Sequence, residues 1–307
     1  MFRLNDIILL LVIFSSMVAG IMFPGFANHF QPYPLFLMMF LLFLSFLPIK
    51  LDDIWLMIRH NGPTIIWLSL LKMIAIPLIV YYLFKTFYPS YAVAALLLTG
   101  ISTGVVAPFI SALVNANGPL VLIMVVTSSL IVPFTLPALV KVVLERNIEI
   151  SFWEMTQILS MVIFFPVIAV QLLRRVASRL LESLMKRRFP ISLIIFAAIN
   201  LGVFSKYADY FRQNPGTVIN AVLVAIALGG IYFVVGLLSQ WGSSVANQLA
   251  AVITLGNVNN VLVLVFASEF FGPLEPTLAA MYMIPFFGLI FPMRVYQRLK
   301  GTGQIKD

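Results

Sequence analysis

Apolar residues run along this chain in long unbroken blocks rather than on one face of a helix. Pro, Gly and charged residues cut the chain into ten such blocks, 7–24, 34–49, 64–84, 91–114, 119–140, 155–173, 190–205, 217–239, 246–268 and 274–293. A helix crossing a hydrocarbon layer ~30 Å thick needs about 20 predominantly apolar residues. Between Lys85 and Lys141, and again between Arg212 and Glu269, there is no Asp, Glu, Lys or Arg, and each gap is long enough for two spans and a short turn. Backbone polar groups must be satisfied internally in lipid, so the blocks are predicted to be helices. None shows the alternating pattern of a membrane β-barrel strand. The expected fold class is an all-α membrane protein of ten transmembrane helices.

Composition sharpens that reading. Of 307 residues 62% are hydrophobic and 10% charged, and mean hydropathy is +1.06. A soluble domain carries roughly a quarter charged residues, so a water-soluble enzyme is excluded. The absence of cysteine removes disulfide frameworks, thiol catalysis and Cys-ligated zinc. The net charge of +8 does not indicate nucleic-acid binding, because the basic residues sit in short segments between apolar blocks. With the N-terminus in the cytoplasm, most Lys and Arg fall on inner segments. The densest group is Arg174, Arg175, Arg179, Lys186, Arg187 and Arg188, between spans six and seven. That asymmetry predicts a multi-pass protein of the cytoplasmic membrane with both termini inside. The first block follows Arg3 and looks like a signal peptide, but it lacks a small-residue cleavage site and is read as a retained span. Segment 50–61, with Asp52, Asp53, Trp55, Arg59 and His60, reads as an interfacial linker helix.

The two charge-free gaps resemble each other. The first reads Thr99-Gly100-Ile101-Ser102-Thr103-Gly104, then Pro108, then Asn117-Gly118-Pro119-Leu120, then a helix with Pro133 and Pro137. The second reads Thr254-Leu255-Gly256-Asn257-Val258-Asn259-Asn260, then Phe271-Gly272-Pro273-Leu274, then a helix with Pro285 and Pro292. The Gly-Pro-Leu corners lie about half the chain apart. Five spans in each half, 1–147 and 148–307, force the halves into opposite orientations, the inverted-repeat layout of many secondary transporters. Single prolines such as Pro77 and Pro166 read as ordinary membrane-helix prolines. Spans four and nine, where Gly clusters with Ser, Thr and Asn in both halves, read as broken helices crossing at the midplane. Broken ends expose N–H groups suited to anions and carbonyls suited to cations.

Lys72 is the one basic residue deep inside a block. It lies about ten residues into its span, roughly 15 Å from the inner end and near the midplane. A central lysine costs about 2.5–3.5 kcal/mol even on lenient insertion scales, and no Asp or Glu lies at comparable depth. Asn257, Asn259 and Asn260 form the densest polar group within any span, able either to bind substrate oxygens or to cap a broken helix. Ser102, Thr103, Thr127, Ser128 and Ser129 add hydroxyls, each of which often bonds its own helix backbone. His29 and His60 fall in loops and make no metal pair, and Glu154, Glu182, Glu269 and Glu275 sit at span ends. No acid/base, Ser–His or paired-Asp constellation marks an intramembrane enzyme. No cofactor or metal centre is expected.

These residues resemble the bile acid:sodium symporter family of ten-helix transporters. Leu51-Asp52-Asp53 looks like the family's corner after span two, and Leu70-Leu71-Lys72-Met73-Ile74-Ala75-Ile76-Pro77-Leu78 is similar to its third helix. Gly100 to Pro119, and Ile253 through Asn259 to Phe271-Gly272-Pro273, look like its two broken helices. The resemblance implies a panel of spans one, two, six and seven, a core of spans three to five and eight to ten, and organic-anion uptake by alternating access. The departures bear on sodium. Pro108-Phe109 stand where family symporters carry Ser-Asn, Thr254 and Val258 where they carry Glu and Gln, and Lys72 where they carry Gln or His. Asn259 is retained, and Thr127 matches a hydroxyl ligand of the fifth helix. Most expected sodium-holding side chains are therefore missing. The Lys72 ammonium is expected in the place of the second sodium ion, neutralised by half-helix carbonyls, Thr254 or an anionic substrate, and able to load and release a proton; the alternative is a lysine on a wet inner vestibule with no special role. The expected activity is carriage of a small organic anion, proton-coupled or uncoupled. The expected site comprises Lys72, Ser102, Thr103, Thr127, Ser128, Thr254, Asn257, Asn259 and Asn260. A sodium-coupled symporter and a non-transporting sensor or scaffold are the alternatives.

Overall fold

The computed structural model describes residues 4–49, 62–144 and 151–301. The Leu51-Asp52-Asp53 corner, the linker 50–61 and the boundary between the two halves at 147 and 148 lie outside the described residues. Among the described residues the chain is helical and no strand is present; the single β-bridge joins Thr103 to Val258. We number the main helices α1 (Leu4–Met22), α2 (Pro34–Phe46), α3 (Gly62–Phe87), α4 (Ala92–Gly100), α5 (Ala107–Leu113), α6 (Gly118–Leu144), α7 (Phe152–Val176), α8 (Ser178–Lys206), α9 (Gly216–Ser239), α10 (Val245–Gly256), α11 (Asn260–Phe270) and α12 (Leu274–Lys300). Six of them, α3, α6, α7, α8, α9 and α12, are long and apolar enough to cross a membrane. The count becomes seven if α1 and the helical segment Pro24–Phe30, bent by 105° from it, form one span. Helices α2, α4, α10 and α11 are shorter apolar pieces. The protein is a multi-pass membrane protein.

Helix ends follow local chemistry. Pro24, Pro34 and Pro89 open helical segments, where the missing N–H costs nothing and φ is already set. Ser151 caps α7 by accepting from the Glu154 N–H at 3.3 Å, and Ser244 caps α10 by accepting from the Asn247 N–H at 3.3 Å. Pro133 and Pro137 lie inside α6, Pro166 inside α7 and Pro190 inside α8. Helix α12 turns at Tyr282 and Leu289 on its way to Lys300.

One interruption was not legible as such. Residues Leu71–Ala75 of α3 form a π-turn, with the Ile76 N–H bonded to the Leu71 carbonyl. Pro77 explains where it sits, because its ring nitrogen has no hydrogen to give the Met73 carbonyl, and the turn widens by one residue. A second difference concerns the basic run 174–188, expected as a connection between spans. Only Ala177 separates α7 from α8, so most of those residues are helical.

Packing sorts the helices. Helix α1 lies on α8, and α2 lies on both α7 and α8. Helix α3 lies on α4, α9 on α10 and α12, and α12 on α4 and α11. Helix α6 joins the groups, packing on α7 as well as on α4, α5 and α10. The largest body of wholly buried residues, in α4, α6, α10, α11 and α12, surrounds the gaps between α4 and α5 and between α10 and α11.

Candidate functional site: two broken helices and a buried lysine

Helix α4 ends at Gly100 with Ile101 extended, and the chain does not become helical again until Ala107. Helix α10 ends at Gly256, and α11 begins at Asn260. Each break leaves backbone groups without a place in a helical ladder, and the two breaks satisfy one another. The Gly104 N–H donates to the Asn257 carbonyl at 2.7 Å, and the Asn259 N–H to the Ser102 carbonyl at 2.9 Å. Between them lies the antiparallel bridge of Thr103 with Val258. The Thr103 hydroxyl donates to the Thr254 carbonyl at 2.8 Å, and the Thr103 N–H donates to the Ser128 hydroxyl of α6 at 2.9 Å. This is an isolated antiparallel bridge in the buried interior, where each break satisfies backbone groups of the other. It requires Gly104. A Cβ there would stand 2.7 Å from the Val258 carbonyl oxygen and 3.1 Å from that of Asn257.

Lys72 is fully buried beside this pairing. Its ammonium donates to the Leu255 carbonyl at 3.1 Å, in the last turn of α10, where orphan carbonyls carry the negative end of the helix dipole. It lies 5.8 Å from the centre of the Tyr232 ring, within cation–π range. The next carbonyl, that of Gly256, accepts the Tyr282 hydroxyl at 2.8 Å. The two tyrosine rings meet edge to face at 6.2 Å. The broken end of α10 is therefore held by one ammonium and one phenol, and no carboxylate makes an ion pair with Lys72 among the described residues. An ammonium has three donors, so one carbonyl leaves two of them for other partners.

The asparagines divide by role. Asn259 caps α11, its side-chain oxygen accepting the Leu262 N–H at 3.3 Å. Asn257 donates to the Phe286 carbonyl at 2.9 Å, which fixes its amide orientation because a carbonyl only accepts. Asn260 donates to the Met283 sulfur at 3.1 Å. The side-chain oxygens of Asn257 and Asn260 and the hydroxyl of Ser102 are buried with no hydrogen-bond partner among the described residues. A buried unpaired acceptor costs about 1–3 kcal/mol, so three around one crossing mark where water or a ligand is wanted. Thr254 turns its hydroxyl back to the Ala251 carbonyl at 3.0 Å and contributes its backbone carbonyl to Thr103.

Of the nine expected residues, the structure links Ser102, Thr103, Ser128, Thr254, Asn257 and Asn259 directly through the crossing, and sets Lys72 one carbonyl away at Leu255. Asn260 opens α11 at its edge. Thr127 is half-buried and makes no hydrogen bond to the crossing; Ser128, one residue on, is the hydroxyl of α6 that reaches it. Sequence reasoning missed Tyr232, Tyr282 and the π-turn. A lone tyrosine inside an otherwise apolar span was the available signal for Tyr232.

A family model described as the sodium bile acid symporter family matches residues 32–214, more than half of the chain. The chain belongs to the sodium bile acid symporter family. No curated protein matches it. The matched region contains Lys72 and the whole of the first break and ends before the second. Membership in the sodium bile acid symporter family points to a membrane transporter, and among the described residues no group of three or more His, Cys, Asp or Glu gathers as a metal site.

Proposed function

We propose that the protein is a secondary carrier that moves a small organic anion by alternating access through the crossing of the two breaks. The coupling is to protons, or absent. The one observation that carries the reading is the Lys72 ammonium on the Leu255 carbonyl at 3.1 Å, beside two helix breaks bonded to each other. A carbonyl at the end of a broken helix is a cation position, and here the chain fills it with its own cation. A sodium ion at that place would meet a like charge at short range, and the crossing offers it no carboxylate. The ammonium attracts an anion instead. The three unpaired oxygens of Ser102, Asn257 and Asn260 suit water or hydroxyl and amino donors on the same substrate.

In this reading the chain has ten spans, with α4 and α5 forming span four and α10 and α11 span nine. The halves 1–147 and 148–307 are inverted repeats in the cytoplasmic membrane, with both termini inside. Helices α1, α2, α7 and α8 form a panel, against which the core of α3–α6 and α9–α12 moves. Purified protein in liposomes tests it. Uptake of labelled organic anions should proceed without sodium, respond to a pH gradient if protons are coupled, and fall to background in Lys72→Met. Flux that requires sodium would favour the sodium symporter reading. Absence of flux across a broad anion panel would favour a non-transporting sensor.

A further inference from the structure

The basic run 174–188 has a geometry that its role in orientation does not require. Arg174 donates to the Leu47 carbonyl at 2.9 Å and the Ile49 carbonyl at 3.0 Å, which sets the end of α7 level with the end of α2. At the other end of α2, Pro34 abuts Gly202 of α8; a Cβ on Gly202 would lie 3.0 Å from the Pro34 ring. The two helices run side by side from there. The 13 residues of α2 bring α8 level with Leu47 near Phe189. At 1.5 Å per residue, the stretch Ser178–Arg188 covers about 16 Å more. The stretch is continuous with the rest of α8 and starts one residue after α7 stops, so it lies where the chain turns back between two helices long and apolar enough to cross a membrane.

Leu181 is buried, and Leu184 and Met185 pack against the core. Arg175, Arg179, Lys186, Arg187 and Arg188 are exposed. None of the five makes an ion pair among the described residues, and Glu182 is the one acidic residue in the run. Val176 is 84% exposed and Leu180 52%, each next in sequence to an exposed arginine. Exposed apolar groups interleaved with unpaired cations, at the level where spans end, match a headgroup region above acyl chains. An acidic soluble protein would satisfy the arginines and leave Val176 and Leu180 in water.

We propose that residues 175–188 form a binding surface for the phosphate-bearing headgroups of anionic phospholipids. The surface acts whether or not the crossing carries a substrate. The test is native mass spectrometry of the full chain, released from mixed micelles of phosphatidylglycerol and phosphatidylcholine. The parent protein should retain phosphatidylglycerol preferentially, and 0.5 M salt should erase the preference. The variant Arg179→Gln/Lys186→Gln/Arg187→Gln/Arg188→Gln should reduce that preference by at least about tenfold, at about fivefold for each charge near the surface when all act together. Lys85→Gln/Lys141→Gln, at other helix ends, should leave it unchanged. Equal retention of the two lipids by the parent overturns the proposal and makes an acidic protein the better partner for the face. So does an equal loss in both variants. Arg179→Lys/Arg187→Lys/Arg188→Lys keeps every charge and should keep the lipid, which protects the test against a misfolded quadruple variant.

Discussion

Two lysines in this protein make nearly the same bond in opposite surroundings. Lys206, at the end of α8, is exposed and donates to the Ser268 carbonyl near the end of α11. Lys72, inside α3, is fully buried and donates to the Leu255 carbonyl near the end of α10. Both exploit the orphan carbonyls and negative dipole end of a helix C-terminus. The surface lysine keeps water for its remaining donors, so it gains a small stabilisation and loses little. The interior lysine gives up its hydration for one carbonyl and a tyrosine face. A buried charge without a counter-charge is destabilising, and folding alone offers no reason to keep it. The contrast teaches that the same bond to a helix end has opposite energetic consequences at the surface and in the interior, because only the interior lysine loses its water.

The comparison can be broken at four places, from the strongest expected effect to the weakest. Gly104→Val should be the most damaging change, because the new side chain drives into the Val258 carbonyl and parts the two breaks. Overpacking costs about 1–3 kcal/mol and occasionally more, and backbone contacts this close put the change at the upper end, seen as a large fall in unfolding temperature in detergent; a variant as stable as the parent would show that the breaks need not touch. Lys72→Met should act in two directions at once. Removing a buried charge that has no counter-charge removes its desolvation cost, so the melting temperature should hold or rise while flux disappears. A fall in stability with flux retained would make Lys72 structural. Ser128→Ala leaves the Thr103 N–H unpaired in the interior and should cost about 2 kcal/mol, measured by thermal unfolding. Lys206→Met should change stability by less than about 1 kcal/mol, as expected for a solvent-screened group, and a loss as large as that of Ser128→Ala would end the distinction between the two lysines.

Much of the fold was readable because lipid admits few solutions. The blocks 64–84, 119–140, 155–173 and 217–239 lie within helices α3, α6, α7 and α9, extended by a few residues at their ends. The breaks at Gly100 and Gly256 were readable too, since Gly beside Ser, Thr and Asn in an apolar run has few other uses. The partnering of side chains was not. Asn259 reads as well as a ligand as a cap, and only the structure shows its side-chain oxygen accepting the Leu262 N–H. Thr127 and Ser128 are adjacent hydroxyls, and only the rotation of α6 against the first break selects Ser128. Tyr282 gains its role from a turn in α12 that brings its hydroxyl to the Gly256 carbonyl. Arg174 to Arg188 read as a cytoplasmic connection, but most of them are helical, with Leu181, Leu184 and Met185 packed inward and Arg179, Lys186, Arg187 and Arg188 exposed.

By itself the sequence determined that this chain lives in a membrane, that its spans are helices, that two of them are broken and that one lysine lies deep within a span. These follow from transfer energies and backbone hydrogen bonding, which depend on residue type and local order. The tertiary structure decided what the broken ends bond to, which carbonyl meets the lysine and which acceptors stay unpaired. Those depend on how helices distant in the chain rotate and approach, because an orphaned backbone group accepts any partner that packing brings within about 3 Å.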